Sequence, residues 1–232
     1  MEVQDLLNYG KSGCEFSSSF SKELEKRTSK AARKIVSKHL GFLGMVRLIF
    51  HSVKERRRML KQDLSSLREK GMTNERFITR EIDRLAIISA LRKIVGTEKA
   101  LQIGKEILEV MAPQVFAYVL PSREDFMKFD DPFDAFRQYI LALAEADEKT
   151  GFRLGRIAEN TKDAIQTDVT YCAFYEIAKQ LGIEEACLPH CYAHDVGFQA
   201  SYQGSEIAFN MTSTLVEGAS CCDLRYERVR DE

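Results

Sequence analysis

The chain has 232 residues, 44% hydrophobic and 30% charged, with a formal net charge of −1. That composition is an ordinary soluble protein's, with room for one large core or two small ones. The longest apolar run, residues 40–50, is interrupted by Arg47 and falls short of the ~20 residues needed to cross a bilayer, so a transmembrane span is excluded.

Charge is spread unevenly. Residues 21–62 hold 13 Lys/Arg against 3 Glu, a net of +10, which leaves −11 for the rest of the chain. Such a segment raises an anionic partner, nucleic acid or a membrane surface, as one option. A solvated helix face that pairs with acidic elements of the same chain is the preferred one. No groove-reading motif or interleaved aromatic pattern supports nucleic acid, and neither nucleic acid nor a membrane surface is expected as a partner. The start Met1-Glu2-Val3-Gln4-Asp5 is acidic and lacks the apolar centre of an export signal. A cytoplasmic setting is therefore expected, with the six cysteines reduced rather than paired.

In chain order, residues 1–20 carry little pattern and read as a loose or weakly helical arm that includes Cys14. Residues 22–68 have helical periodicity. Leu24, Ala31, Ile35, Leu40, Leu43, Val46, Ile49 and Val53 form the expected buried stripe, with a kink or break at Gly41 or Gly44. A helix capped by Thr73 or Asn74 runs to Val95 and stops at Gly96. Another begins with Thr97 as its cap and is ended or restarted by Pro113. Asp131 followed by Pro132 marks a further helix start, and Gly151 its stop. Beyond Gly151 the period shortens. Residues 152–158 and 164–169 alternate as strands around a turn at 160–163. Residues 171–181 read as a helix, a second helix has Pro189 in its first turn, and strands come next at 207–211 and 221–229. The whole is an α+β protein. Its helical part of about five helices occupies residues 1–150, and a small antiparallel sheet with one or two helices occupies residues 151–232, the two most simply forming one compact unit.

Five of the six cysteines lie between Cys172 and Cys222, and chemistry is expected there. Cys172 opens a predicted helix, where the positive end of the dipole favours a thiolate; a small buried hydrophobe is the alternative. On one helix His190 and His194 share a face at i, i+4, and Cys191 and Asp195 share the next. Such pairs suit a divalent metal such as Zn²⁺, or they are plain surface residues. On the last strand, alternation puts Cys222, Leu224 and Tyr226 on one face and Cys221, Asp223 and Arg225 on the other. Thr212 and Thr214 bring hydroxyls to the same sheet edge.

In order, Val169-Thr170-x-Cys172, Cys191-x-x-x-Asp195 and Thr212-x-Thr214-Leu215-x-Glu217-Gly218-x-x-x-Cys222-Asp223-x-Arg225 resemble the L-2-amino-thiazoline-4-carboxylic acid hydrolase family. Leu224 stands where that family commonly has Phe, and both are apolar. The earlier residues resemble the family only in length and helical character. The resemblance implies an enzyme, a hydrolase of a non-peptide C–N bond in a small cyclic amidine, in which water adds at the C=N carbon and the ring opens to a carbamoyl-cysteine. It implies Cys222 or Cys172 as nucleophile, Asp195 or Asp223 for proton transfer, and Arg225 for the substrate carboxylate, with Cys191, Thr212 and Thr214 lining the substrate site. The other reading is a non-catalytic protein that binds a small ligand or a metal, through His190 and His194, in the same pocket. A homo-oligomer is left open by both.

Overall fold

The computed structural model describes Leu6 and residues 21–230, so the expected arm with Cys14 lies outside the described residues. The first helix, α1 (Lys22–Met59), starts where Ser21 Oγ accepts the Leu24 N–H at 3.1 Å. Gly41, at φ 64° and ψ −175°, is non-helical and divides α1 in two. A short α2 (Ser65–Glu69) comes next as a separate element, although the helical periodicity runs on to residue 68. Helix α3 (Glu75–Val95) is capped by Asn74 Oδ1, 3.0 Å from the Phe77 N–H, and ends at Gly96. In α4 (Thr97–Val119) the capping position is Gly96 rather than Thr97, and the helix passes through Pro113, which removes only its own N–H bond from the ladder. A single turn, α5 (Arg123–Phe126), precedes α6 (Pro132–Lys149), which has Asp131 as cap and proline in its first turn as expected.

The sheet is four-stranded and antiparallel, in the order β1-β2-β4-β3, so the chain has the expected α+β architecture. Strands β1 (Arg153–Asn160) and β2 (Ala164–Cys172) form a hairpin. Helix α7 (Ala173–Gln180), a 3₁₀ turn at Glu184–Cys187 and α8 (Leu188–Tyr202) come after it. Strand β3 (Ile207–Asn210), a second 3₁₀ turn at Leu215–Glu217 and β4 (Cys222–Arg228) complete the described fold.

The buried clusters mix residues from before and after residue 150. Phe133, Phe136, Tyr139 and Ile140 of α6 pack with Phe198 and Tyr202 of α8 against Ile165, Val169, Leu224 and Tyr226 of the sheet. Phe77 and Leu85 of α3 pack with Phe152, Phe174 and Ile177. Gly151 joins the halves at φ 62°, and a Cβ there would lie 2.4 Å from the Lys70 carbonyl oxygen.

One expectation fails in α1. Leu24 is buried and Ile35 and Leu40 are packed, but Leu43, Val46, Ile49 and Val53 are exposed. Past Gly41 the core-facing residues are Leu48, Glu55 and Met59. The break rephases the helix, so a periodicity carried straight through it selects the wrong face. That half of α1 is apolar on two sides, and only one side is covered by α3 and α4.

Candidate functional site

The hairpin delivers the first half of the site. In its register Arg153, the first residue of β1, lies opposite Cys172, the last residue of β2. A register shift between Leu154 and Gly155 leaves an extra residue on β2, which re-aims the side chains beyond it. Gly155 is needed at that shift, because a Cβ would sit 2.2 Å from the Asp168 carbonyl oxygen. Strict alternation from Val169 would send Cys172 to the opposite face from Cys222, which pairs with Val169. With the bulge, Cys172 is close enough to Cys222 to disfavour charge on the Cys222 sulfur. Cys172 also ends its strand one residue before helix α7, at the capping position rather than inside the first turn.

Helix α8 brings the third thiol. Burial pushes the Cys191 thiol up, and Cys172 and Cys222 add to the effect. Burial also raises Cys222, against an opposing hydrogen bond in which the Leu215 N–H donates to its Sγ at 3.2 Å and against the charge of Arg153. Cys172, Cys191 and Cys222, far apart in the chain, therefore all lie within electrostatic range of one guanidinium. Cys187 lies in the core, its thiol donating to the Phe174 carbonyl at 3.3 Å and pushed up to about 12 by burial.

Sequence reasoning missed Arg153. Burial opposes its charge, but Asp147 of α6, Cys172, Tyr226 and Cys222 outweigh it and raise its pKa. The Asp147 carboxylate is 3.8 Å away, and the guanidinium packs over the Phe152 ring. Its position two residues after a glycine, in a strand-like alternation, carried no motif. Only the pairing opposite Cys172 marks it.

The histidines turn inward. Arg153 Nη2 lies 3.0 Å from His194 Nε2, and a guanidinium can only donate. His194 Nε2 is then the acceptor and its proton is on Nδ1, which is buried with no hydrogen-bond partner among the described residues. Burial, helped by Arg153, pushes the His194 pKa down to about 3. His190 packs on Phe174, with ring centroids 4.0 Å apart, and is likewise held neutral by burial, then by Arg84. With the folded value depressed, stability is complete above the unfolded value near 6.5 and is lost as pH falls from there towards 3. The unfolding free energy should therefore fall between pH 7 and pH 5, by up to ~1.4 kcal/mol per pH unit per histidine, and the melting temperature with it. Replacing His194 by Phe should flatten that slope; an unchanged slope would show that the imidazole is not buried neutral.

Asp195 faces a cleft of about 630 Å³ shared with Cys191, Thr214, Lys105, Glu98 and Glu217. Arg153 and Asp147 line a smaller cavity of about 220 Å³ between α6 and β1. Of the three thiols, Cys191 lines the larger cleft, and Cys172 and Cys222 line neither opening. Asp223 is engaged elsewhere: its carboxylate accepts the Thr212 N–H at 2.8 Å, the Ser213 N–H at 2.7 Å and the Thr212 hydroxyl. Burial pushes it up, but these bonds together hold it below the usual carboxylate range. Thr214 caps the 3₁₀ turn through Glu217. Arg225 is bound to Glu159, Gln166 and Glu227. Thus Thr212, Thr214 and Asp223 shape the loop that presents the Leu215 N–H to Cys222, while Arg225 sits in an ion-pair network. Among the described residues no three His, Cys, Asp or Glu side chains are grouped to hold a metal ion, because His190 and His194 face Phe174 and Arg153 while Asp195 faces the cleft.

Residues 75–226 match the family model described as L-2-amino-thiazoline-4-carboxylic acid hydrolase. No curated protein matches the chain.

Proposed function

The chain belongs to the L-2-amino-thiazoline-4-carboxylic acid hydrolase family, and on that premise we propose that it hydrolyses a small cyclic amidine bearing a carboxylate, with Cys222 as nucleophile and Arg153 as the carboxylate's partner. The observation that supports this is the pairing of Arg153 with Cys172 across the hairpin, with Cys191 and Cys222 within electrostatic range of the same guanidinium. A guanidinium in a partly dry cavity is suited to a carboxylate, which it can grip with two parallel hydrogen bonds. Arg225 is the anchor that the motif suggests, but its Nε and Nη1 are engaged by Glu227, Glu159 and Gln166.

A buried thiol is a poor nucleophile while protonated. The substrate removes that obstacle, because an amidine is a base. The Cys222 proton passes to the ring nitrogen as the sulfur attacks the carbon between the ring nitrogen and sulfur. The Leu215 N–H and the Arg153 charge stabilise the sulfur's developing negative charge. Collapse of the tetrahedral adduct breaks one ring bond and leaves the opened substrate on Cys222. Water then attacks the same carbon, the Cys222 sulfur leaves and takes back a proton, and a carbamoyl-cysteine is released. Asp195, which lines the cleft beside Cys191, takes the water's proton in this reading.

Incubation of the protein with 2-amino-thiazoline-4-carboxylate, with mass spectrometry of the products, should give a species heavier by one water. A free thiol in the product marks cleavage of the ring C–S bond, and a free amine marks cleavage of the C–N bond. Lack of turnover across a panel of carboxylated cyclic amidines would reject the activity.

A further inference from the structure

The family match begins at residue 75, so α1 lies outside the part shared with the family. After the break at Gly41, Phe42, Leu43, Val46, Ile49, Phe50 and Val53 recur at the spacing of a single helical face. They are exposed: Phe42 by 82%, Leu43 by 76%, Phe50 by 73% and Ile49 by 62%. A contiguous run of this kind on a soluble surface marks an interaction site rather than ordinary exposure. Its flanks carry one sign of charge. Over residues 42–61 the exposed charged side chains are Arg47, Lys54, Arg56, Arg57, Arg58 and Lys61; Arg56 pairs with Asp83 of α3, and the one acidic residue of the segment, Glu55, is buried under Lys93, Ser89 and Arg58.

We propose that this half of α1 lies flat on an anionic lipid surface. The apolar face would sink to the boundary between headgroups and acyl chains while the cationic side chains meet lipid phosphates and carboxylates, the arrangement of an interfacial amphipathic helix. Charge complementarity selects this occupant. A second copy docked through the same face would bring two cationic margins together with no acidic side chain along this half of the helix to receive them. A nucleic acid would use the cations but leave Phe42, Ile49 and Phe50 in water. Periodicity alone puts Leu43, Val46, Ile49 and Val53 in the core; they are exposed instead.

Cosedimentation of the full chain with vesicles of phosphatidylcholine alone and of phosphatidylcholine with phosphatidylserine tests it. Binding should be strong to the anionic vesicles, weak to the neutral ones, and reduced by salt. The pair Phe42→Ser/Phe50→Ser should lower the partition at least tenfold, since a buried Phe contributes about that much or more. Arg47→Gln/Lys54→Gln/Arg57→Gln should lower it similarly at low salt. Both variants alter exposed side chains, so an unchanged melting curve verifies their fold. Absence of binding to anionic vesicles, or equal binding to neutral ones, overturns the proposal. So does a concentration-dependent dimer that Phe42→Ser/Phe50→Ser abolishes while no vesicle binding is seen.

Discussion

Cys222→Ser is expected to lower turnover of the thiazoline about a thousandfold or more, while the melting temperature stays within a few degrees of the parent. The hydroxyl can still accept the Leu215 N–H that now reaches Sγ at 3.2 Å, so the loop should keep its place. What is lost is the acidity and polarisability of sulfur. A serine hydroxyl does not yield its proton to an amidine nitrogen as a thiol does, even one raised by burial. The measurement is kcat beside a thermal melt for Cys222→Ser, Cys172→Ser and Cys191→Ser. Cys172 and Cys191 share the cluster, so their variants should lose less. Full activity in Cys222→Ser with loss in Cys172→Ser would move the nucleophile to the end of β2.

Arg153→Lys is expected to raise KM between tenfold and a hundredfold, or about 1.4 to 2.7 kcal/mol, with a smaller effect on kcat. Lysine keeps a positive charge near Asp147 but lacks the fork that grips a carboxylate through two bonds. It also gives up the bond to His194 Nε2. Lysine is the better test than methionine, because removing the charge would break the buried pair with Asp147 and could cost about 3 to 5 kcal/mol of stability. Arg225→Gln is the control. Arg225 sits among Glu159, Gln166 and Glu227, so its loss should leave KM within about twofold. The reverse outcome, an unchanged KM in Arg153→Lys and a raised one in Arg225→Gln, would return the carboxylate to the position the motif suggests.

The α+β class, the helix starts at Thr73 or Asn74 and at Asp131, the stop at Gly96, and the shared face of Cys222, Leu224 and Tyr226 could all be read before any coordinates. These features are local. A capping side chain bonds an N–H three residues away, a glycine admits positive φ, and a strand alternates with period two, so nearby residues specify each one. The motif residues of the family were legible for the same reason. They lie in short runs, and Thr214 caps its own turn through bonds with Glu217 three residues on.

Three matters were not local. Arg153 joins the thiols because an antiparallel register sets it opposite Cys172 and a bulge turns both towards Cys222. No spacing within either strand contains that register. Residue type alone suggests chemical tasks for Arg225 and Asp223, but a guanidinium and a carboxylate act according to their neighbours, and Glu159 and Thr212 come from other elements. The exposed face of α1 went unseen because apolar periodicity reports that a face is apolar, not that something covers it. Burial depends on which helices arrive from elsewhere in the chain, and α3 and α4 reach only one side.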